Sequence, residues 1–177
     1  VVSSVTPIPT RLNAARSAAA AVRDPELPML TLADLGVLRE VRVDEDGVTA
    51  VLTPTYTGCP ALAEMRADVA TALRAAGFAD GHVRVETQLS PAWSTDDITA
   101  EGRRKLAEAG IAPPGAAPKR AGGPVPLTLG PTRAAVVHCP HCGSADTEET
   151  SRFGATACKA LRRCRACREP FEQVKEI

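Results

Sequence analysis

The chain has 177 residues, 44% hydrophobic but only 3% aromatic, so one ordinary domain or a small domain with an appended module can form, its core built from Ala, Val and Leu. Twenty-one basic side chains balance 21 acidic ones, which removes the global electrostatic case for nucleic acid or an anionic membrane as partner. No apolar run approaches the roughly 20 residues of a membrane helix, and the opening residues lack the pattern of a signal peptide, so the expectation is a cytoplasmic protein.

Arg11 to Val22 reads as a short helix stopped by the Asp24-Pro25 step, making residues 1–22 an N-terminal helical extension. The following segment carries Asp24, Glu26 and Asp34; turn chemistry, with carboxylates accepting from nearby backbone N–H groups, is the favoured reading. Residues 37–55 alternate as a β-hairpin: Val37, Val41 and Val43 share one side of the first strand, and Asp46-Gly47 supplies the turn. Pro54 suits an exposed or terminal strand position. Pro60 to Ala76 is predicted as a helix, because Leu62, Met65, Val69 and Leu73 recur at helical spacing, Pro60 fits a first turn and Gly77 ends it. A third strand follows, with Val83 and Val85 on one face. Trp93, the only tryptophan, is expected to anchor a loop, and another helix runs from the STDD stretch to Gly110. The order αββαβα predicts a small α+β domain over residues 23–112, with packed helices on one three-stranded sheet.

Residues 113–131 hold six prolines and four glycines in nineteen positions, which cannot fill a core; 113–137 is therefore expected to be a linker. Beyond it, residues 138–177 contain two CxxC pairs, Cys139 with Cys142 and Cys164 with Cys167. Two intervening residues let both thiolates of a tight turn reach one ion at about 2.3 Å, and two such turns complete a tetrahedron. So short a segment gains its stability from a metal more readily than from burial. A four-cysteine zinc ribbon is the prediction, with iron as the rival ion for the same ligands. His138 and His141 flank the first pair and are expected at the surface. Cys158 reads as a small buried residue beside the ribbon strands, the alternative being an auxiliary thiol with a redox or transient metal role. Arg162, Arg163, Arg165 and Arg168 read as a solvated face.

Cys59 stands apart, in TYTGCPA at the mouth of the second helix. A thiol beside unpaired N–H groups at the positive end of a helix favours the thiolate, which binds metal or attacks an electrophile. An inert cysteine packing the helix onto the hairpin is the equal alternative. With three histidines in all, two of them in the ribbon, a Cys-His hydrolase finds little support.

Four segments occur in order: Asp24 to Pro28, Asp34 to Val37, Thr55 to Pro60 and Leu89 to Asp96. Together they resemble the iron–sulfur-assembly domain of the SufT-like family. The tail, with Phe153 to Leu161 between the CxxC pairs and Cys167 to Phe171 after them, is similar to the PaaD family of accessory subunits of phenylacetyl-CoA epoxidase. The resemblance covers about residues 20–113 and 138–174; Ala155 stands where Ser or Thr is expected.

The resemblance implies a non-catalytic maturation factor in aerobic phenylacetate degradation, assisting iron–sulfur cluster assembly of the epoxidase's flavin-containing reductase. The alternative is a structural adapter subunit of the oxygenase complex. By the same resemblance, Cys59 is the reactive or transient cluster-binding thiol, while Cys139, Cys142, Cys164 and Cys167 hold structural zinc. The partners it implies are the epoxidase components. The balanced charge and the absence of a long apolar run argue against nucleic acid and membrane, and a homodimer is expected from the ligand count of a cluster. Clusters normally need four protein ligands, so Cys59 would act with Cys158, a second chain, a client or a small thiol.

Overall fold

The computed structural model describes residues 7–117 and 136–177; most of the segment expected as a linker lies outside them. The elements are α1 (Ile8–Ala20), β1 (Leu38–Val43), β2 (Val48–Leu52), α2 (Leu62–Ala75), β3 (Val83–Thr87), α3 (Ala100–Glu108), β4 (Ile111–Ala112), β5 (Thr147–Ser151), β6 (Lys159–Cys164) and β7 (Pro170–Val174). They form one three-stranded sheet, β1-β2-β3, and one four-stranded sheet, β4-β7-β6-β5.

In the first sheet β1 and β2 form the expected hairpin, closed where Asp44 N–H donates to the Gly47 carbonyl at 3.0 Å. Gly47 has φ +142°, and a Cβ there would lie 2.1 Å from the His82 carbonyl oxygen, so no other residue fits that turn. β3 pairs with β2 in parallel, which requires a crossover, and α2 supplies it. α2 turns Met65, Val69 and Leu73 inward, while α1 contributes Ala15 and Ala19 and packs on β1 and α2. β2 is buried at all five positions.

The register explains how its second face is covered. Arg42, Thr49 and Arg84 share one cross-strand row, and Glu40, Val51 and Glu86 the next. Arg42 reaches Glu86 at 2.9 Å and Glu40 at 3.3 Å, so charged side chains roof Thr49 and Val51. Such exposed pairs contribute about 0–1 kcal/mol each; they shield the sheet more than they hold it.

Two of the three acidic residues of the 23–37 segment, Asp24 and Asp34, do the turn work expected of them. Asp24 accepts from the N–H groups of Glu26 (2.9 Å) and Leu27 (2.8 Å). Asp34 and Thr31 bond reciprocally, each side-chain oxygen accepting the other's N–H at 3.0 Å. These bonds let Leu27, Leu30, Leu32 and Leu35 enter the core from a loop. Trp93 is buried and its Nε1–H donates to the Leu35 carbonyl at 2.8 Å, the anchoring role predicted for it.

The chain divides into two compact units, Val1–Trp93 with Asp97–Gly102, and Ser94–Asp96 with Arg103–Ile177. The sequence reading places residues 103–112 with the first domain; here Ile111 and Ala112 form β4, which pairs in parallel with Glu172 and Gln173 of β7. In this second unit Arg103 donates to the carbonyls of Pro114 (2.5 Å) and Thr95 (2.6 Å), and the Ile177 carbonyl accepts from Thr95 N–H and Ser94 Oγ–H, each at 3.2 Å.

Two further expectations are corrected. α1 begins at Ile8, before Arg11, because Pro9 is tolerated in a first turn. The arginine run is not uniformly solvated: Arg162 is buried, donating to Gln173 Oε1 and Thr147 Oγ1 at 3.2 Å, and Arg165 pairs with Glu148 at 2.8 Å.

Candidate functional site

Two turns of the ribbon carry the four thiols, and they are built alike. In the first, Cys139 N–H donates to the Ser144 carbonyl at 2.9 Å, and Gly143, just after Cys142, has φ +75°. In the second, Cys164 N–H donates to the Glu169 carbonyl at 3.0 Å, and Arg168, just after Cys167, has φ +68°. Both turns thus need a left-handed residue at the same step, and Arg168 adopts it at the steric cost of a side chain. The repeated position following each CxxC is a signal that the cysteine spacing alone did not disclose.

The turns bring the sulfur atoms of Cys139, Cys142, Cys164 and Cys167 within 4.8 Å of one another. Cys139 Sγ lies 3.7 Å from Cys167 Sγ, and Cys142 Sγ lies 3.6 Å from Cys164 Sγ. Tetrahedral ligands about 2.3 Å from a zinc ion stand about 3.8 Å apart, whereas a disulfide needs about 2.05 Å. The spacing therefore fits a tetrahedral metal. Cys139 and Cys164 are buried, Cys167 is half-buried and Cys142 exposed, so the site is closed toward the core and open on one side.

Electrostatics favours the same conclusion. The Cys167 backbone N–H pointing at Cys164 Sγ (3.5 Å), the largest influence, draws that thiol down to about 7. At Cys167 the Glu169 backbone acts in the opposite sense, but burial and the three neighbouring thiols outweigh it and push the group up to about 12. Cys142 is raised as well; its hydrogen bond with the Ser144 backbone lowers it, and the Cys164 thiol and burial prevail. The crowding that raises Cys142 and Cys167 opposes their ionisation beside Cys164. A divalent cation replaces their protons and removes the conflict.

His138 and His141 are exposed and outside the sulfur group, as expected. His138 Nδ1 lies 3.1 Å from the Gly143 carbonyl. The His141 ring packs so close to Gly110 (φ +76°) that a Cβ there would sit 3.0 Å from Cε1. Cys158 is half-buried with its sulfur 3.1 Å from Thr156 Oγ1. It precedes β6 and Cys164 ends that strand, so about 20 Å of extended chain separates Cys158 from the metal-ligand set.

Cys59 lies in a turn of its own, half-buried, with its N–H donating to the Tyr56 carbonyl at 3.2 Å and its carbonyl accepting from Leu62 at 3.3 Å. The expected helix start at Pro60 is corrected: α2 begins at Leu62 with Ala61 as its cap residue, and no side chain caps it. Cys59 therefore sits two residues ahead of the cap, where the helix dipole acts more weakly than at the first turn. Among the described residues the only group of three or more metal-ligating side chains is the ribbon four, so the Cys59 turn offers a single sulfur.

Comparison with known proteins follows the same two-part division. Residues 124–175 match the PaaD zinc beta ribbon domain family, and residues 13–90 match the iron-sulfur cluster assembly protein family. A protein of Escherichia coli assigned as one of the subunits of 1,2-phenylacetyl-CoA epoxidase is 44% identical over 156 residues, covering 88% of this chain and 87% of that relative. Among solved structures, a domain of unknown function from Bacillus anthracis is similar at 24% identity and TM-score 0.49, covering 55% of this chain and 92% of its own. A conserved hypothetical protein from Thermotoga maritima is similar at 24% identity and TM-score 0.46, covering 60% and 98%.

Proposed function

Because this chain belongs to the PaaD family of phenylacetyl-CoA epoxidase subunits, we propose that it is a non-catalytic accessory subunit that assists maturation of that multicomponent enzyme. The observation that carries the reading is the match to the Escherichia coli relative over 88% of this chain. The client is the iron–sulfur cluster of the reductase component, and the cluster is cargo, not a resident cofactor.

The thiol geometry supports a division of labour. Cys139, Cys142, Cys164 and Cys167 hold a structural zinc ion, since their spacing suits a tetrahedral ion and all four positions are filled by the chain itself. Cys59 supplies one sulfur from a separate turn, with the remaining ligands of a cluster coming from the client or a small thiol. A second reading, a structural adapter within the oxygenase complex, is favoured by the self-contained ribbon site, which leaves no open coordination position for transfer.

Iron, zinc and acid-labile sulfide in anaerobically purified protein, measured beside Cys59→Ser together with cluster occupancy of the co-expressed reductase, separate the two. Maturation predicts unchanged zinc, lost iron and sulfide, and at least tenfold fewer reductase clusters in the variant. A reductase fully loaded beside Cys59→Ser would leave the adapter reading in its place.

A further inference from the structure

We propose that the outer edge of β3 is a self-pairing surface: two copies of this chain join their β1-β2-β3 sheets antiparallel, about Val85, into one six-stranded sheet. β3 is an edge strand, VRVET, and among the described residues no strand pairs with its outer side. A β-branched, half-exposed edge of this kind is a template for another strand unless something covers it.

The phase of the backbone selects the pairing. Gln88 N–H donates to the Leu52 carbonyl at 2.8 Å, within a parallel ladder that sets Val85 beside Ala50. In parallel pairing, alternate residues turn both backbone groups to the neighbour, so Arg84 and Glu86 face β2 while Val83, Val85 and Thr87 present theirs outward. The Val85 carbonyl already accepts from the exposed Arg66 guanidinium at 3.0 Å, which agrees with its outward direction and leaves it a second lone pair.

An antiparallel pair centred on Val85 sets Val85 opposite its counterpart and Val83 opposite Thr87 of the second copy. All of these are outward-facing residues, able to exchange hydrogen bonds. Between them Arg84 falls opposite Glu86 of the second copy, twice by symmetry, in the closer non-hydrogen-bonded pairs where cross-strand ion pairs act most directly. Moving the centre by two residues either way sets neither charge against its opposite. A two-fold axis also makes the contact isologous, so the assembly closes at two chains.

The flanking surface suits the same partner. Val83 and Val85 line a shallow groove of about 320 Å³ with Ala63, Arg66, Ala67 and Ala70 of α2, and the three alanines leave room for the second α2. On the other face Arg84 Nε–H donates to Thr49 Oγ1 at 3.4 Å, and the same guanidinium lies 3.9 Å from Asp44. Glu86 pairs with Arg42 at 2.9 Å, and both Arg84 and Glu86 keep about half of their side-chain surface exposed for a second ion pair. One consequence follows for Cys59. It precedes α2, at the end of the sheet where β2 stops, so antiparallel pairing puts the two Cys59 turns at opposite ends, and they do not join in one site.

Sedimentation equilibrium of the full chain in reducing buffer, over a wide concentration range, tests this. The parent is expected to dimerise reversibly. Arg84→Glu and Glu86→Arg should each weaken the dimer about tenfold or more by opposing like charges, and the double variant Arg84→Glu/Glu86→Arg should restore it. Thr87→Pro, which removes an outward N–H and no bond to β2, should block pairing without altering charge. Circular dichroism melts identify any variant that fails to fold, and Thr87→Pro then carries the test. A parent that stays monomeric, single variants that associate like the parent, or a double variant no better than the singles would overturn the proposal.

Discussion

The two sheets are held by different chemistry although one chain carries both. The first encloses Leu30, Leu32, Leu52, Leu73, Val37, Val48 and Val69, each under 2% exposed. Every such side chain contributes about 1.5–3 kcal/mol by leaving water. One cluster of the ribbon's interior joins Ala112, Val137, Cys139, Cys164 and Phe171 with Cys167 packed against them, so sulfur ligands make up half of that cluster. Ile111, Ala160 and Val174 are the other small apolar side chains buried on the ribbon's strands. Its other buried groups include Lys159, Arg162 and Gln173, held by ion pairs and hydrogen bonds such as Lys159 to Glu172 at 2.8 Å. Apolar burial can sustain the first body; the second depends on an ion that makes its thiols compatible.

The largest way to break this comparison is to take the ion away. Cys164→Ser or a strong chelator should abolish zinc retention and expose β5, β6 and β7 to amide exchange, since a structural zinc contributes on the order of 10 kcal/mol. Amides of β1 to β3 should stay protected. Loss of protection in both sheets together would show that one cooperative core holds the whole. Acid should act in the same direction. The Cys164 thiol, lowered from 9.0 to about 7, contributes stability that is complete above 9.0 and lost as pH falls through about 7, and returning protons also compete with the metal. Zinc released on acidification, followed with a chromophoric chelator, should therefore precede unfolding of the first sheet.

A smaller change sharpens the contrast from the other side. Leu73→Ala should destabilise the first unit by about 2–5 kcal/mol through the cavity it leaves, while zinc per chain stays constant. Calorimetry with metal analysis on the same sample reads both quantities. The smallest effect concerns the paired ribbon turns. Arg168→Gly should stabilise the metal-loaded ribbon by about 1 kcal/mol by relieving a left-handed side chain, and Gly143→Ala should cost about as much. Opposite shifts in the ribbon's melting temperature would verify that the two turns share one geometry.

How much of this was legible in the sequence depended on the range of the interaction. The hairpin turn at Asp46-Gly47, the apolar stripe of α2 and the two CxxC turns are written in adjacent residues, and they appear where expected. The parallel direction of β3 is not local, because it follows from α2 crossing the sheet. β4 is two residues long and reads as the end of a helix until β7 pairs with it. Arg162 looks like one more surface charge in an arginine run; its partners Gln173 and Thr147 lie eleven and fifteen residues away on neighbouring strands. At Cys59 the local sequence misleads: Pro60 suits a helix start, yet the chain makes another turn before α2 begins at Leu62.

The short strand β4 has a practical corollary for anyone dissecting the molecule. A cut at Pro113, where composition invites it, would separate the cysteine-rich tail from Ile111 and Ala112 and strip β7 of its outer neighbour, leaving β6 on the other side. The excised fragment would keep its metal ligands yet display a raw strand edge, an invitation to stack into oligomers. Insolubility of such a fragment would then report where the scissors fell, and say little about the ribbon within its full chain.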